Sequence, residues 1–116
     1  MRLRRASVAA LGAFALLLAV PNSASAAVGE FRYTYLDANN NAHAAGLFDP
    51  ASGECLTIPQ VADPEHSQPA YSPRNLTEST ATVFLTEDCS GDTYYVLRPL
   101  VGRGSTAMKF RSVVFS

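Results

Sequence analysis

The sequence predicts an all-β protein: a small antiparallel Greek-key sandwich or barrel closed by one disulfide. Two patterns carry that prediction. Beyond residue 26 the chain is a succession of short runs rich in aromatic and β-branched residues, parted by Asn, Asp, Gly and Pro clusters, with no sustained helical period. About six such runs can be counted, and all but one of their connections are short, as in antiparallel folds. A third observation concerns Cys55 and Cys89, the only two cysteines. They either pair with each other or stay free, and a small domain gains from a staple.

The compartment is read from the first residues. Met1-Arg-Leu-Arg-Arg5 is basic, Ala6–Val20 is an unbroken small and apolar run, and Pro21-Asn-Ser-Ala-Ser-Ala26 ends it on an A-x-A pattern. That order is a secretory leader, with cleavage expected after Ala26. The apolar run is shorter than the roughly 20 residues that span a bilayer, so no membrane span is expected. The organisation is then a leader over 1–26 and one β domain over 27–116, secreted and read as a monomer. Export places Cys55 and Cys89 in an oxidising compartment, which favours their bond. Closing that loop is expected to contribute about 3.5–4 kcal/mol.

Taken in order, Phe31-Arg-Tyr-Thr-Tyr-Leu36 alternates and places Phe31, Tyr33 and Tyr35 on one face of a first strand. Asp37-Ala-Asn-Asn-Asn41 is a turn, because Asn and Asp tolerate left-handed backbone and bond their own main chain. His43–Phe48 returns as the partner strand, and Asp49-Pro-Ala-Ser-Gly53 turns again. Glu54–Ile58 is a third strand, stopped by Pro59. The stretch 59–77 holds Pro59, Pro64, Pro69 and Pro73, and is read as an exposed crossover loop between a first half, 27–58, and a second half, 78–116. Asn75-Leu-Thr77 within it matches a glycosylation sequon. The second half holds strands at Ala81–Thr86, Thr93–Leu97 and Lys109–Phe115, with a turn over Glu87–Asp92. A loop made flexible by Gly102 and Gly104 lies between the last two strands.

The second half, Phe84-Leu-Thr-Glu-Asp-Cys-Ser-Gly91, then Thr93–Leu97, then Phe110–Phe115, resembles one Greek-key motif of the βγ-crystallin superfamily. Phe84 matches the aromatic that opens the motif, Gly91 its glycine, and Ser112 the serine that ties down the folded hairpin; Cys89 stands where a second aromatic is expected. The glycine has a physical reason, since a tight fold needs positive φ there. Phe31–Ile58 reads as a degenerate second copy. The overall layout is similar to small secreted proteins of actinomycete bacteria, and relatives within that fold include proteinase inhibitors and killer-toxin-like proteins.

The resemblance raises calcium, which many such motifs bind. Aligned on Ser112, the ligand stretch is Ala107-Met-Lys-Phe-Arg-Ser112: Ala107 and Met108 replace acidic or amide residues, and Arg111 replaces a hydroxyl. A hard cation wants oxygens, so no metal or other cofactor is expected. Asp37–Asn41 opens like an EF-hand loop, but Ala42 and Phe48 stand where glycine and glutamate belong. His43 and His66 are the only histidines, and Asp63, Glu65 and His66 lack a second His for zinc. No G-x-S-x-G nucleophile setting is present, and no catalytic residue is assigned.

Charge bears on partners. The whole chain has nine Lys and Arg against ten Asp and Glu; losing Arg2, Arg4 and Arg5 with the leader leaves six against ten, or −4. All ten acids lie in 27–97 with only Arg32 and Arg74, whereas 98–116 holds Arg98, Arg103, Lys109 and Arg111 and no acid. A C-terminal strand pairing with acidic strands accounts for this better than a nucleic-acid footprint. The expectation is a secreted non-catalytic binding or structural module, whose target is an extracellular protein or a cell-envelope component. The alternative is a proteinase inhibitor presenting Arg98-Pro-Leu-Val-Gly-Arg-Gly-Ser105, with Arg103 as its specificity residue and a loop softened by two glycines.

Overall fold

A computed structural model describes residues 25–116, so the expected leader lies outside the described residues except for its last two positions. Seven strands form two antiparallel sheets: β1 (Gly29–Leu36), β2 (Ala42–Phe48), β3 (Leu56–Thr57), β4 (Tyr71–Thr77), β5 (Ala81–Phe84), β6 (Tyr94–Leu97) and β7 (Ser112–Phe115). One sheet has the order β2-β1-β4 and the other β3-β7-β5-β6. Among the described residues no helix is long and apolar enough to cross a membrane.

The strand order shows two halves of like plan. In each half the first strand is central, flanked by the second and fourth, while the third segment leaves for the other half's sheet. β3 of the first half pairs with β7. In return, residues 102–104 of the second half lie along β4: Asn75 N donates to Gly102 O (2.8 Å), Gly104 N donates to Pro73 O (2.9 Å), and Arg74 pairs with Arg103. The first half, which reaches through β4 to Thr77, therefore shares its strand plan with the second.

The core lies between the sheets. Alternation along β1 buries Phe31 and Tyr33 and exposes Arg32. Phe31 meets Phe115 and Phe110 edge-on, at centroid distances of 5.4 and 5.9 Å, and Tyr33 meets Phe110 at 6.2 Å. Such pairs contribute about 0.5–1.5 kcal/mol beyond their buried area. Ile58, Val61, Ala70, Val83, Leu97 and Val113 close the packing. Tyr33 keeps its hydroxyl satisfied by donating to Gln60 Oε1 at 2.7 Å.

The crossover loop is shorter than the prolines imply. Residues 71–77 are β4, paired antiparallel to β1 through Arg32↔Arg74 and Thr34↔Tyr71, with a register shift between them. That shift places Ser72 and Pro73 together opposite Tyr33, and Ser72 takes φ 52°. A bulge is one of the few places a sheet accepts proline, and Pro73 is fully buried in it. The connection proper is 62–70, after a short 3₁₀ turn at Pro59–Val61. β3 and β7 are also shorter than the runs that suggested them.

Candidate functional site

The fold-motif residues come together. β5 and β6 form a hairpin whose turn folds back over the sheet, and buried Ser112 at the start of β7 holds it. Its Oγ donates to Thr86 O (2.6 Å) and accepts from Cys89 N (2.9 Å). Phe84 stands over Tyr94 with ring centroids 5.9 Å apart, and Gly91 takes φ 87°. Cys89 itself has φ 58° and is joined to Cys55, with Cα atoms 5.9 Å apart. The disulfide thus ties the strand that the first half sends across to the folded turn of the second.

The loop carrying Arg103 is held, not flexible. Besides the bonds of Gly102 and Gly104 to β4, Leu100 N donates to Thr77 O (2.9 Å) and Gly102 N to Arg98 O (3.0 Å). The glycines are there for close approach: a Cβ on Gly102 would sit 2.5 Å from Arg98 N. Strand bonds alternate from residue to residue, so Arg103's own N–H and C=O face away from β4. Its side chain is exposed, as are Leu100 and Val101 at 56% and 66%. A cavity of about 300 Å³ lies between Arg74 and Arg103, walled by Leu76, Leu100 and Val101.

A second concavity, about 620 Å³, opens between the first hairpin's turn and the 62–70 connection, lined by Tyr35, Asp37, Asn40, Gln60, Glu65 and His66 among others. Its polar groups are largely engaged in closing the local chain. Asp37 Oδ1 accepts from Asn39 N and Asn41 N (2.8 and 2.9 Å), and Oδ2 lies 2.7 Å from His43 Nε2. The Asn41 amide, foremost, and the His43 ring hold the Asp37 carboxyl below its ordinary range. Asp63 is lowered chiefly by His66, whose Nδ1 is 2.6 Å away. His43 also stacks on Tyr35. Among the described residues no group of three or more His, Cys, Asp and Glu could hold a metal ion.

Two sequence readings, on the C-terminal cations and on the Arg103 loop, are corrected, and the sequon match is not an accessible site. The cations of 98–116 do not pair with acidic strands: β7 faces Leu56, Thr57 and β5, all uncharged. Instead Arg111 is buried and donates to Val61 O (2.9 Å), Ser67 Oγ (3.0 Å) and Ser67 O (2.8 Å), while Lys109 Nζ lies 4.5 Å above the Tyr71 ring. So Arg111 is a clamp on the connection. The sequon asparagine is fully buried, its amide donating to Ser79 O, Leu97 O and Arg98 O, and its oxygen accepting from Thr77. Folded, it is closed to glycosylation. The Arg103 loop owes its glycines to packing, as above. Sequence reasoning missed Asn75 and Arg111 because carbonyls of distant segments, Leu97 and Arg98 for Asn75 and Val61 and Ser67 for Arg111, are among their partners and leave no local pattern.

No family model matches the chain, and neither a curated protein nor a solved structure matches it.

Proposed function

We propose that the chain is an exported, non-catalytic binding module on a βγ-crystallin-like plan, directed at a cell-envelope component. The secretory pattern of residues 1–26 supports export, as does a disulfide, which persists in oxidising compartments. The exchange of third segments between halves and the Ser112 tie on the folded hairpin support the family plan. The observation that carries the binding reading is the shelf at 98–105. Its backbone is bonded to β4 on one side and open on the other, with Leu100, Val101 and Arg103 exposed on a rigid support. A surface already held in its bound shape loses little conformational entropy on association.

The same rigidity favours a second reading, a proteinase inhibitor with Arg103 as the residue entering the specificity pocket. One pair of experiments separates the two. A panel of trypsin-like proteinases is assayed with the wild type and Arg103→Ala, and ¹⁵N-labelled protein is titrated with solubilised envelope fragments. The binding reading expects no inhibition, and amide shifts confined to 74–76 and 98–105. Tight inhibition that Arg103→Ala abolishes would replace it with the inhibitor reading, and absence of both effects would refute the shelf as a site.

A further inference from the structure

The strand register brings three arginines of distant sequence into one line. Arg32 on β1 is directly opposite Arg74 on β4, and Arg74 is directly opposite Arg103 on the exchanged segment. Directly opposed residues share a face of the sheet. With Phe31, Tyr33, Pro73 and Asn75 buried inward, all three arginines point outward, and all are exposed. Strands lie about 4.8 Å apart, so the row crosses roughly 10 Å of surface. Among the described residues one ion pair reaches the row, with a Glu30 oxygen 3.8 Å from Arg32 Nε. Among the described residues Arg74 and Arg103 make no ion pair.

Like charges placed directly opposite each other across strands are destabilising, and here the arrangement is made twice in succession. Their side chains make no hydrogen bond that holds the fold, unlike Arg111, whose guanidinium makes three bonds to carbonyl and hydroxyl oxygens. It is also the reverse of the domain's overall charge, which is acidic once residues 1–26 are set aside. An anion lying along the row would turn the repulsion into attraction, and the planar guanidinium fork suits phosphate oxygens two at a time.

We propose that the outer face of the β2-β1-β4 sheet binds a linear phosphodiester polymer with a short aliphatic or polyol backbone, its phosphates lying along Arg32, Arg74 and Arg103. The cavity between Arg74 and Arg103 has apolar walls, Leu76, Leu100 and Val101, fitted to the carbon backbone between phosphates. Bases would call for an aromatic platform. On this face the Tyr71 ring is already covered by Lys109, and one exposed ring, Phe48, lies on the edge strand opposite Glu30. A single ring beside one end of the row does not make a platform for successive bases, which favours a polymer without bases over a nucleic acid. The proposal rests on the binding-module reading and names the chemistry of its target.

The test uses the mature protein and a synthetic glycerol-phosphate oligomer, with oligo(dT) of equal charge as the comparison. Binding is measured by titration across a salt series. The wild type is expected to bind the glycerol-phosphate oligomer more tightly, with log K falling against log salt at a slope of about −2 to −3. Arg32→Gln, Arg74→Gln and Arg103→Gln should each flatten that slope by about one, and the triple variant should lose affinity by at least about 100-fold. The control Ala38→Glu, Gln68→Glu, Thr93→Glu changes net charge equally at exposed positions off the row, and should bind within about threefold of wild type. The triple Gln variant should also melt higher than wild type at low salt when no ligand is present, which verifies its folding and reads the relieved repulsion. Wild-type affinity in the triple variant, equal loss in the control, tighter binding of oligo(dT), or no binding by the wild type would each overturn the proposal. In that last case, envelope-fragment shifts at 98–105 would leave the binding reading standing with a different ligand, and their absence would remove both.

Discussion

The two hairpins of this domain begin alike and are closed in opposite ways. β1 and β2 pair without interruption from Glu30↔Phe48 to Leu36↔Ala42, and their turn is closed from within by Asp37. β5 and β6 pair over only Phe84↔Tyr94 to Ala81↔Leu97, and their longer turn is folded back and held from elsewhere. Ser112, more than 20 positions along the chain, bonds Thr86 near the start of that turn and Cys89 at its middle, and Cys55 anchors Cys89 from the other half. One hairpin carries its own closure in its sequence. The other adds to its local bonds, between Thr86 Oγ1 and the Ser90 main chain, a hold from the rest of the domain, so its stability also reports on assembly of the two halves.

The comparison can be broken most severely at the disulfide. Replacing Cys55 and Cys89 by Ser should cost about 3.5–4 kcal/mol by loop entropy, seen as a large fall in melting temperature. The folded turn at 85–93 should lose order before the β1–β2 turn. Next comes Ser112→Ala, which leaves the Cys89 N–H and Thr86 carbonyl without their buried partner, at about 1–3 kcal/mol. For a domain of this size each kcal/mol corresponds to roughly 4–8 °C, so calorimetry resolves it easily.

The 62–70 connection within the first half sharpens the contrast from the other side. Arg111 belongs to the second half, yet it holds the 62–70 segment of the first. Arg111→Met keeps much of the side chain's bulk while removing its donors. Limited proteolysis should then cut several times faster within Ala62–Gln68, which is mostly exposed. Cleavage inside β4 should not increase. Peptide mapping of the first cut decides this.

The smallest effect belongs to the self-closed hairpin. Asp37→Ala should lower the melting temperature less than Ser112→Ala, because the β1–β2 ladder persists without it. The folded-state pKa of Asp37 is lowered, first by the Asn41 amide and then by His43. Its contribution is therefore present above the unfolded value, about 3.9, and is lost as pH falls through the lowered folded value. A carbon-detected NMR titration should find Asp37 titrating below an ordinary aspartate. Between those two values the stability of Asp37→Ala should vary less with pH than that of the wild type.

Legibility from sequence followed the same division. The all-β class, the first hairpin with its Asp37–Asn41 turn and the β5–β6 pair were readable because each rests on residues close in sequence. β4 was not, since four prolines argue for a loop and only a bulge opposite Tyr33 makes room for Pro73. Its inward residues Asn75 and Thr77 are polar, so no apolar alternation marked the strand; Asn75 is buried by donating to the Leu97 and Arg98 carbonyls far along the chain, and Thr77 by bonding the Asn75 side chain. The exchange of third segments has no local signature at all. The shelf at 98–105 was found as a candidate but read as soft, because glycine signals flexibility in sequence and close packing in this fold. Arg32, Arg74 and Arg103 are separated by 42 and 29 positions, and strand register alone unites them.

Amide hydrogen exchange in a pair of variants tests the central contrast most directly. In Ser112→Ala the amides of 85–93, Cys89 foremost, should lose protection while Asn39 and Asn41 keep theirs. In Asp37→Ala the losses should be confined to 38–42, with Cys89 unchanged. Equal loss at both hairpins in either variant would contradict the account, because it would mean that the two turns open together and neither is closed independently.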